Sequence, residues 1–297
     1  KTITIPSHLT KIEKKAFEAR DLKEVNFLPN SNLLTIEEKA FARTQIESFT
    51  VPTKLNKIEI SAFKRCEYLK TFIIPENSSP ITIKPCIFKY SSIKNFSILN
   101  TELNDLQNGW CCDCKYLTNI EVNQNNPYLK MYEKNLLIGK SSKDKENFDV
   151  LHFCLRNAKF NIIIPNYIEI INNCAFMFCK NIQSIVFEPN SKTRKICYEA
   201  FSLNTNLKKV VIPENSELQE IEGHAFLNTN VQSFYFPHKL RKIGEDIFSK
   251  NNIKIIEFAD NPDLEFNELK FCKDFNNLII MMPLKMSERL FKNKTFD

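Results

Sequence analysis

The sequence predicts an α/β-type repeat solenoid, a right-handed coil of similar units in which each unit adds one strand to a parallel sheet. Three observations predict this fold. An alanine–phenylalanine pair recurs along the chain, two aliphatic residues precede each pair, and a short apolar segment that often ends on proline follows it. Repeats with a period of about 20–50 residues are typical of solenoids and related arrays. We expect about eleven strands, with irregular or short-helical segments on the opposite side.

The aromatic member of the pair recurs at nearly constant intervals. Its positions are Phe17, Phe41, Phe63, Phe88, Trp110, Phe176, Phe201, Phe226 and Phe248. Successive spacings are 24, 22, 25, 22, 66, 25, 25 and 22 residues, and 66 is three units of 22. The phase of the repeat therefore survives an interruption in the middle of the chain.

Each unit contains one strand and cannot bury its own apolar face. The segment from Leu69 through Phe72 and Ile74 to Pro75 is representative. Proline ends the strand because it lacks the N–H group that would continue the hydrogen-bond ladder. Contacts between neighbouring units must therefore supply most of the stability, as in other solenoids.

The composition argues against several functional classes. The net charge is +6, but the basic residues are dispersed, so we do not expect nucleic acid as a partner. No apolar run reaches the ~18 residues of a membrane span, and no transmembrane segment is predicted. Because the chain has only 4 Gly, phosphate-binding loops and dinucleotide turns are not expected either. We predict a monomer without a cofactor.

The repeat L-x-x-I-x-x-x-A-F-x(4–6)-L-x-x-V-x-I-P resembles the BspA-type class of leucine-rich repeats, and the resemblance covers residues 1–283. This class occurs in surface proteins of mucosal bacteria and in large families of parasitic protists. The resemblance implies a right-handed leucine-rich-repeat horseshoe with a concave parallel sheet. It also implies adhesion to host matrix proteins or cells. No family motif assigns a binding residue, so no residue's role is carried over.

We predict a single leucine-rich-repeat domain over residues 1–297. Its parts are N-terminal repeats (1–122), a degenerate hairpin-like insert (123–160), C-terminal repeats (161–283) and a terminal cap or tail (284–297). The insert is similar to one that is common in the family. The exposed loop predicted within it, from Gly139 to Asn147, is either a projection that binds a partner or a tolerated surface insertion.

Alternate residues of a strand face opposite sides of a sheet. The predicted outward pairs are Glu24 and Asn26, Ser48 and Thr50, Thr71 and Ile73, Asn95 and Ser97, Asn119 and Glu121, Asn161 and Ile163, Ser184 and Val186, Lys209 and Val211, Ser233 and Tyr235, Ile255 and Glu257, and Ile279 and Met281. The first half of this row is mostly small and polar, whereas the second half is rich in Val, Ile and Tyr.

Exposed apolar residues in a continuous row are typical of contact surfaces. We therefore predict that the C-terminal half of the concave face binds a protein partner. The predicted partner-binding residues are Ile163, Val186, Lys209, Val211, Ser233, Tyr235, Ile255 and Glu257. Two other interpretations remain open: these residues are good strand formers even when solvated, and the Phe271–Phe291 segment could cover the last strand.

The ten cysteines mostly occupy repeat positions, which favours packing as small buried side chains. Cys111, Cys112 and Cys114 invite a zinc hypothesis, but no second C-x-x-C pair accompanies the spacing of Cys111 and Cys114 and His152 is distant in sequence, so no metal site is predicted. Disulfides between adjacent units are possible if the protein is secreted. The four His have no Ser, Cys or carboxylate partner at a catalytic spacing, so no enzyme is predicted.

Three functions remain as hypotheses. The first is a non-catalytic adhesion module, at the cell surface or secreted, that binds a host extracellular matrix or cell-surface protein. The second is a cytoplasmic scaffold that uses the same face for an endogenous partner. The third is an accessory domain of an enzyme whose catalytic part lies elsewhere.

Overall fold

The computed structural model describes residues 1–103, 105–264 and 278–291. The chain forms two compact units. Unit 1 comprises Lys1–Arg156 and Asn173–Phe178, and unit 2 comprises Asn157–Asn172 and Cys179–Asp297. Each unit is a β-solenoid, and the chain has about eleven turns in all. The prediction of a single domain stays a prediction.

Each turn of unit 1 contributes one strand of three or four residues to a parallel row. These strands are β1 (Thr2–Ile5), β3 (Glu24–Phe27), β5 (Ser48–Thr50), β7 (Thr71–Ile74), β9 (Asn95–Ile98) and β11 (Asn119–Val122). β1 pairs with β3, and β5, β7, β9 and β11 pair in sequence order, always in parallel. The row begins one strand earlier than the sequence predicted, since β1 pairs Thr2 with Glu24 and Thr4 with Asn26.

Unit 2 repeats this arrangement. Its strands are β15 (Phe160–Ile164), β17 (Ile182–Phe187), β19 (Lys209–Val211), β21 (Ser233–Phe236), β23 (Ile255–Phe258) and β24 (Ile279–Met281). β15, β17 and β19 form one parallel sheet, and β21, β23 and β24 form another. The predicted row of strands is thus present, but as several hydrogen-bonded sheets rather than one.

A second row of two-residue parallel strands runs through each unit. In unit 1 these are β2 (Lys11–Ile12), β4 (Thr35–Ile36), β6 (Lys57–Ile58), β8 (Thr82–Ile83) and β10 (Asp105–Leu106). In unit 2 they are β16 (Ile170–Ile171), β18 (Lys195–Ile196), β20 (Glu220–Ile221) and β22 (Lys242–Ile243). The second residue of each is apolar and, in nearly every strand, buried.

The segments that carry the Ala-Phe pairs are tight turns, so of the two expected forms, irregular and short-helical, the structure has the irregular one. Two residues four positions apart have positive φ in such a turn, as at Lys39 (56°) and Arg43 (60°). Left-handed residues interrupt a right-handed helix after less than one turn. Successive turns instead bond to each other, for example from the Phe41 N–H to the Ala62 carbonyl at 2.9 Å. The helix α1 (Leu284–Phe291) is the one helix in the described residues.

The repeated phenylalanines form the stacked core that the spacing predicts. In unit 1 the ring of Phe41 stacks on Phe17 at 5.2 Å and on Phe63 at 5.3 Å between centroids. In unit 2 the ring of Phe226 stacks on Phe201 at 5.1 Å and on Phe248 at 5.7 Å. Such contacts add to the hydrophobic gain of burying the rings.

One repeat is shifted by a residue from the predicted alignment. β10 pairs Leu106 with Ile83, so Cys111, five residues after Leu106, takes the position that Phe88 takes five after Ile83. Trp110 therefore stands in the alanine position, although its buried ring still lies 5.2 Å from that of Phe96. Gly109, with a φ of 77°, takes the left-handed position.

The predicted insert contains an antiparallel meander in unit 1. Its strands are β12 (Leu129–Tyr132), β13 (Leu136–Gly139) and β14 (Val150–Cys154). Gly139 permits this pairing, because a Cβ atom at that position would lie 2.5 Å from Nε2 of His152.

Candidate functional site

The outward side chains of the long strands alternate with core side chains, as the sequence predicts. In β21, Phe234 and Phe236 are buried, whereas Ser233 is exposed and Tyr235 is half-buried. β23 repeats the pattern with Ile256 buried between exposed neighbours. The pleat of each strand thus separates core from surface.

The outward residues of unit 2 lie side by side in register. Ile163 pairs with Val186 and Val186 with Val211, while Tyr235 pairs with Glu257 and Glu257 with Met281. β19 and β21 are neighbours between these two groups. We call the apolar members of this row the apolar ladder: Ile163, Val186, Val211, Tyr235, Ile255, Ile279 and Met281.

Much of the apolar ladder is accessible to solvent. The exposed fractions are 55% for Ile163, 36% for Ile255, 57% for Ile279 and 44% for Met281. Val186, Val211 and Tyr235 are half-buried. Residues 271–277 of the segment proposed to cover the last strand lie outside the described residues, so that interpretation stays a prediction.

Polar side chains flank the apolar ladder. Lys209, Ser233 and Glu257 are exposed on the same face. Partial burial, with the negative charges of Glu214 and Glu257, raises the pKa of the Tyr235 phenol, which therefore stays protonated at neutral pH. An aromatic ring with a hydroxyl donor beside exposed polar groups is suited to contacts with another protein.

The corresponding face of unit 1 is polar and partly bonded to itself. The Thr2 hydroxyl donates to the Glu24 carboxylate at 3.1 Å, and the Ser97 hydroxyl donates to that of Glu121 at 3.0 Å. Ile73 is the apolar exception, and it is half-buried. The outward side chains of unit 1 are thus mostly polar and those of unit 2 mostly apolar, as the sequence predicted.

The cysteines behave mostly as core residues, with one disulfide. Cys66, Cys111, Cys114, Cys154, Cys179 and Cys197 are buried, and burial raises the pKa of the Cys66 thiol to about 11. Cys112 and Cys174 form a disulfide between residues 62 positions apart, with Cα atoms 5.2 Å apart. The sequence left disulfides open as a possibility but did not identify this pair. Cys272 lies outside the described residues.

Arg156 is a structurally important residue that the sequence did not indicate. Its side chain is buried, and its guanidinium donates to the carbonyl oxygens of Cys114 (2.9 Å), Cys174 (3.2 Å) and Ala175 (3.1 Å). Its charge lies 3.9 Å from the ring centroid of Phe153. Arg156 therefore joins the meander to the segment Asn173–Phe178.

Two further observations concern the described residues only. No group of three or more His, Cys, Asp or Glu side chains among them could hold a metal ion. No helix among them is both long and apolar enough to cross a bilayer.

The stacked turns, the recurrent aliphatic and phenylalanine core positions and the outward strand residues define a leucine-rich repeat protein. The chain matches the BspA type leucine-rich repeat region in six copies, over residues 1–118 and 152–294. It therefore belongs to the BspA-type leucine-rich repeat family, which confirms the resemblance seen in the sequence. The unmatched residues 119–151 include most of the predicted insert.

Solved structures of bacterial proteins share the fold. The pneumococcal vaccine antigen PcpA has a TM-score of 0.81 at 20% identity, covering 98% of this chain and 76% of that one. A leucine rich cell surface protein from Faecalibacterium prausnitzii has a TM-score of 0.69 at 16% identity, with 99% and 83% covered. A leucine-rich repeat protein from Eubacterium ventriosum has a TM-score of 0.53 at 19% identity, with 80% and 60% covered. No curated protein matches the sequence.

Proposed function

We propose that this chain is a non-catalytic protein-binding module that holds its partner on the apolar ladder of unit 2. The observation that carries the proposal is the accessible row of Ile, Val, Tyr and Met side chains in register on neighbouring strands. Membership of a leucine-rich repeat family supports the proposal, since such repeats are suited to protein interaction.

The physical basis is the burial of apolar surface at the centre of an interface. Interface hot spots are enriched in Tyr and are surrounded by polar residues that exclude water. Tyr235 lies within the apolar ladder, with Ser233 and Glu257 beside it. Lys209 adds a positive charge that can orient a partner without contributing much to affinity.

We propose that the partner is a host matrix or cell-surface protein and that the chain works outside the cell. The Cys112–Cys174 disulfide supports an oxidising compartment, where such bonds form and persist. The cell-surface description of the Faecalibacterium prausnitzii protein supports the same location. Antibody staining of intact, unpermeabilised cells tests it; staining only after permeabilisation would favour the cytoplasmic scaffold.

The first prediction concerns Val211 and Tyr235. The double substitution Val211→Asp/Tyr235→Asp places two charges in the apolar ladder, so binding to extracted host surface proteins should weaken by at least about 30-fold, the cost of one hot-spot residue. Because both side chains face outward, the thermal unfolding midpoint should stay close to that of the unchanged chain. Binding is measured by titration of the captured protein against each purified variant.

The matched control makes the same chemical change on the polar half of the row. Asn26→Asp/Thr50→Asp adds two carboxylates to exposed outward positions of unit 1 and should leave binding unchanged. Equal affinity of all three proteins would show that the apolar ladder is only a solvated set of strand-forming residues.

A further inference from the structure

The meander of unit 1 carries a second candidate surface, which the proposed function does not use. Three lysine ammonium groups lie against two aromatic rings there. Nζ of Lys130 lies 4.2 Å and Nζ of Lys140 5.5 Å from the ring centroid of Phe148. Nζ of Lys143 lies 5.9 Å from that of Tyr128. We call Tyr128, Lys130, Lys140, Lys143 and Phe148 the lysine–aromatic cluster.

Backbone and side-chain bonds hold the cluster together. β12 and β13 place Lys130 opposite Ile138, and the N–H of Lys140 donates to the carbonyl of Tyr128 at 3.1 Å. The loop that carries Lys143 is closed at its base, where the Ser141 hydroxyl donates to the buried Asp149 carboxylate at 2.6 Å. The lysines are therefore presented by a fixed hairpin rather than by a loose tail.

The three ammonium groups of the cluster are available for an anion. Asp149, the buried acid of the loop, is paired with Lys145 at 3.3 Å. In the described part of the chain, no carboxylate is within ion-pair distance of Lys130, Lys140 or Lys143. A lysine packed on an aromatic face still has N–H donors directed away from the ring. Asp144 and Glu146 are exposed further along the loop and partly offset the charge.

A depression of about 570 Å³ adjoins the cluster. Its lining includes Tyr128 and Lys143 together with Pro127, Asn125 and Glu102. The tyrosine ring and the proline offer apolar faces to a sugar ring, while the amide and the carboxylate can bond to hydroxyl groups. A depression lined by one lysine, with Lys130 and Lys140 on the adjoining hairpin, fits a short stretch of anionic saccharide better than a nucleic acid, which needs an extended basic groove.

From this juxtaposition we propose that the lysine–aromatic cluster and its depression bind a sulfated polysaccharide. The lysines contact sulfate groups, and Tyr128 packs against a sugar ring. This site lies in unit 1 and is independent of the apolar ladder, so either proposal can fail without the other. It also gives a role to the hairpin insert, for which the repeat pattern alone provides none.

The test measures binding of the purified chain to immobilised heparin, used as a sulfated probe, in 150 mM salt. Lys130→Gln/Lys140→Gln/Lys143→Gln should weaken binding by about tenfold, because each exposed charge contact is worth a modest amount. Arginine at the same three positions should retain binding, since it keeps the charge. The matched control Lys23→Gln/Lys70→Gln/Lys94→Gln removes three exposed lysines elsewhere in unit 1 and should change binding less than twofold.

Two further probes decide between ligand classes. Desulfated heparin keeps the sugar backbone and should bind at least tenfold more weakly than heparin. Duplex DNA and vesicles with anionic lipid should bind more weakly than heparin as well. The proposal is overturned if the native chain does not bind heparin, if the cluster and control lysine-to-glutamine variants lose binding equally, or if DNA or vesicles bind more tightly than heparin. Unchanged thermal unfolding of each variant shows that the comparison is between folded proteins.

Discussion

At the scale of single residues, the fold depends on left-handed positions occupied by ordinary side chains. Lys39 and Arg43 in one turn, like Cys174 and Phe178 in another, have positive φ without being glycine. Each such residue costs about 1–2 kcal/mol. Backbone hydrogen bonds to the next turn, such as Arg43 N–H to the Lys64 carbonyl at 2.8 Å, offset this cost.

These positions could not be predicted from the sequence because residue type does not mark them. They hold Lys, Arg, Ser, Cys, Glu, His and Asp in different turns. The left-handed conformation is imposed by the stacking of neighbouring turns and not by the preference of any single residue type. For this reason the sequence left irregular and short-helical segments open as alternatives, and the described turns are irregular.

Arg156 gives the clearest residue-scale prediction. The substitution Arg156→Met keeps much of the apolar stem but removes the donors to the buried carbonyls of Cys114, Cys174 and Ala175. Buried acceptors that lose their donors are costly, so the free energy of unfolding should fall by at least about 2 kcal/mol. Urea denaturation measures the change; a loss within about 0.5 kcal/mol, typical of a surface site, would show that these bonds do not matter.

His152 should make unit 1 sensitive to mild acid. Burial lowers the pKa of His152 to about 4, while the charge of Asp149 acts in the opposite direction. An unfolded histidine binds a proton near pH 6.5, so the unfolded state binds more protons between these two values. The stabilising contribution is therefore complete above pH 6.5 and is lost as the pH falls towards 4, by about 3 kcal/mol in all.

The measurement is the free energy of unfolding between pH 7 and pH 4, compared with that of His152→Gln. The native chain should show a steeper decline than the variant over this range. Parallel curves would mean that His152 is protonated equally in both states and would contradict its burial as a neutral ring.

At the scale of elements, the meander and the segment Asn173–Phe178 form one joined structure. The Arg156 bonds connect them, and the Cys112–Cys174 disulfide ties the same segment to the turn that contains Cys112. Because the cysteines recur at repeat positions, the sequence predicted that they pack in the core. Six of the described cysteines are buried as thiols, as predicted. The repeat alignment could not identify the disulfide, because its two cysteines are 62 residues apart, with the insert between them, and the fold alone brings the segment of Cys174 into unit 1.

Removal of this disulfide should weaken unit 1. A cross-link that closes a loop of this length restricts the unfolded chain and is worth about 4 kcal/mol. Cys112→Ser/Cys174→Ser should therefore unfold at a lower urea concentration than the native chain. Under denaturing conditions, reduction should expose two more titratable thiols in the native chain and none in the variant; an equal thiol count before and after reduction would refute the bond.

At the scale of the whole molecule, the sequence predicted those features that depend on the repeat. The period, the phenylalanine stacks, the strand row and the register of the outward residues all follow from one apolar pattern repeated in phase. The apolar character of the second half of the row was also predictable, because strand residues alternate between core and surface. The identity of the partner was not, since the outward residues are not constrained by the core.

The lysine–aromatic cluster could not be predicted from the repeat pattern. Its residues lie in the insert, where the period is lost and where Gly139 leaves room for the side chain of His152. Phe148 lies against Lys130 and Lys140, whereas Tyr128 lies against Lys143, and the folded meander brings these contacts together. Only the folded hairpin reveals such a surface.

The most direct test of the account compares two adjacent residues of β21. Phe234 is buried in the core of unit 2, whereas Tyr235 faces outward in the apolar ladder. We expect Phe234→Ala to lower the free energy of unfolding by about 3–5 kcal/mol. Tyr235→Thr, which keeps a good strand residue, should lower it by less than about 1 kcal/mol. Equal losses, or a larger loss at Tyr235, would contradict the separation of core and binding face on which the proposed function depends.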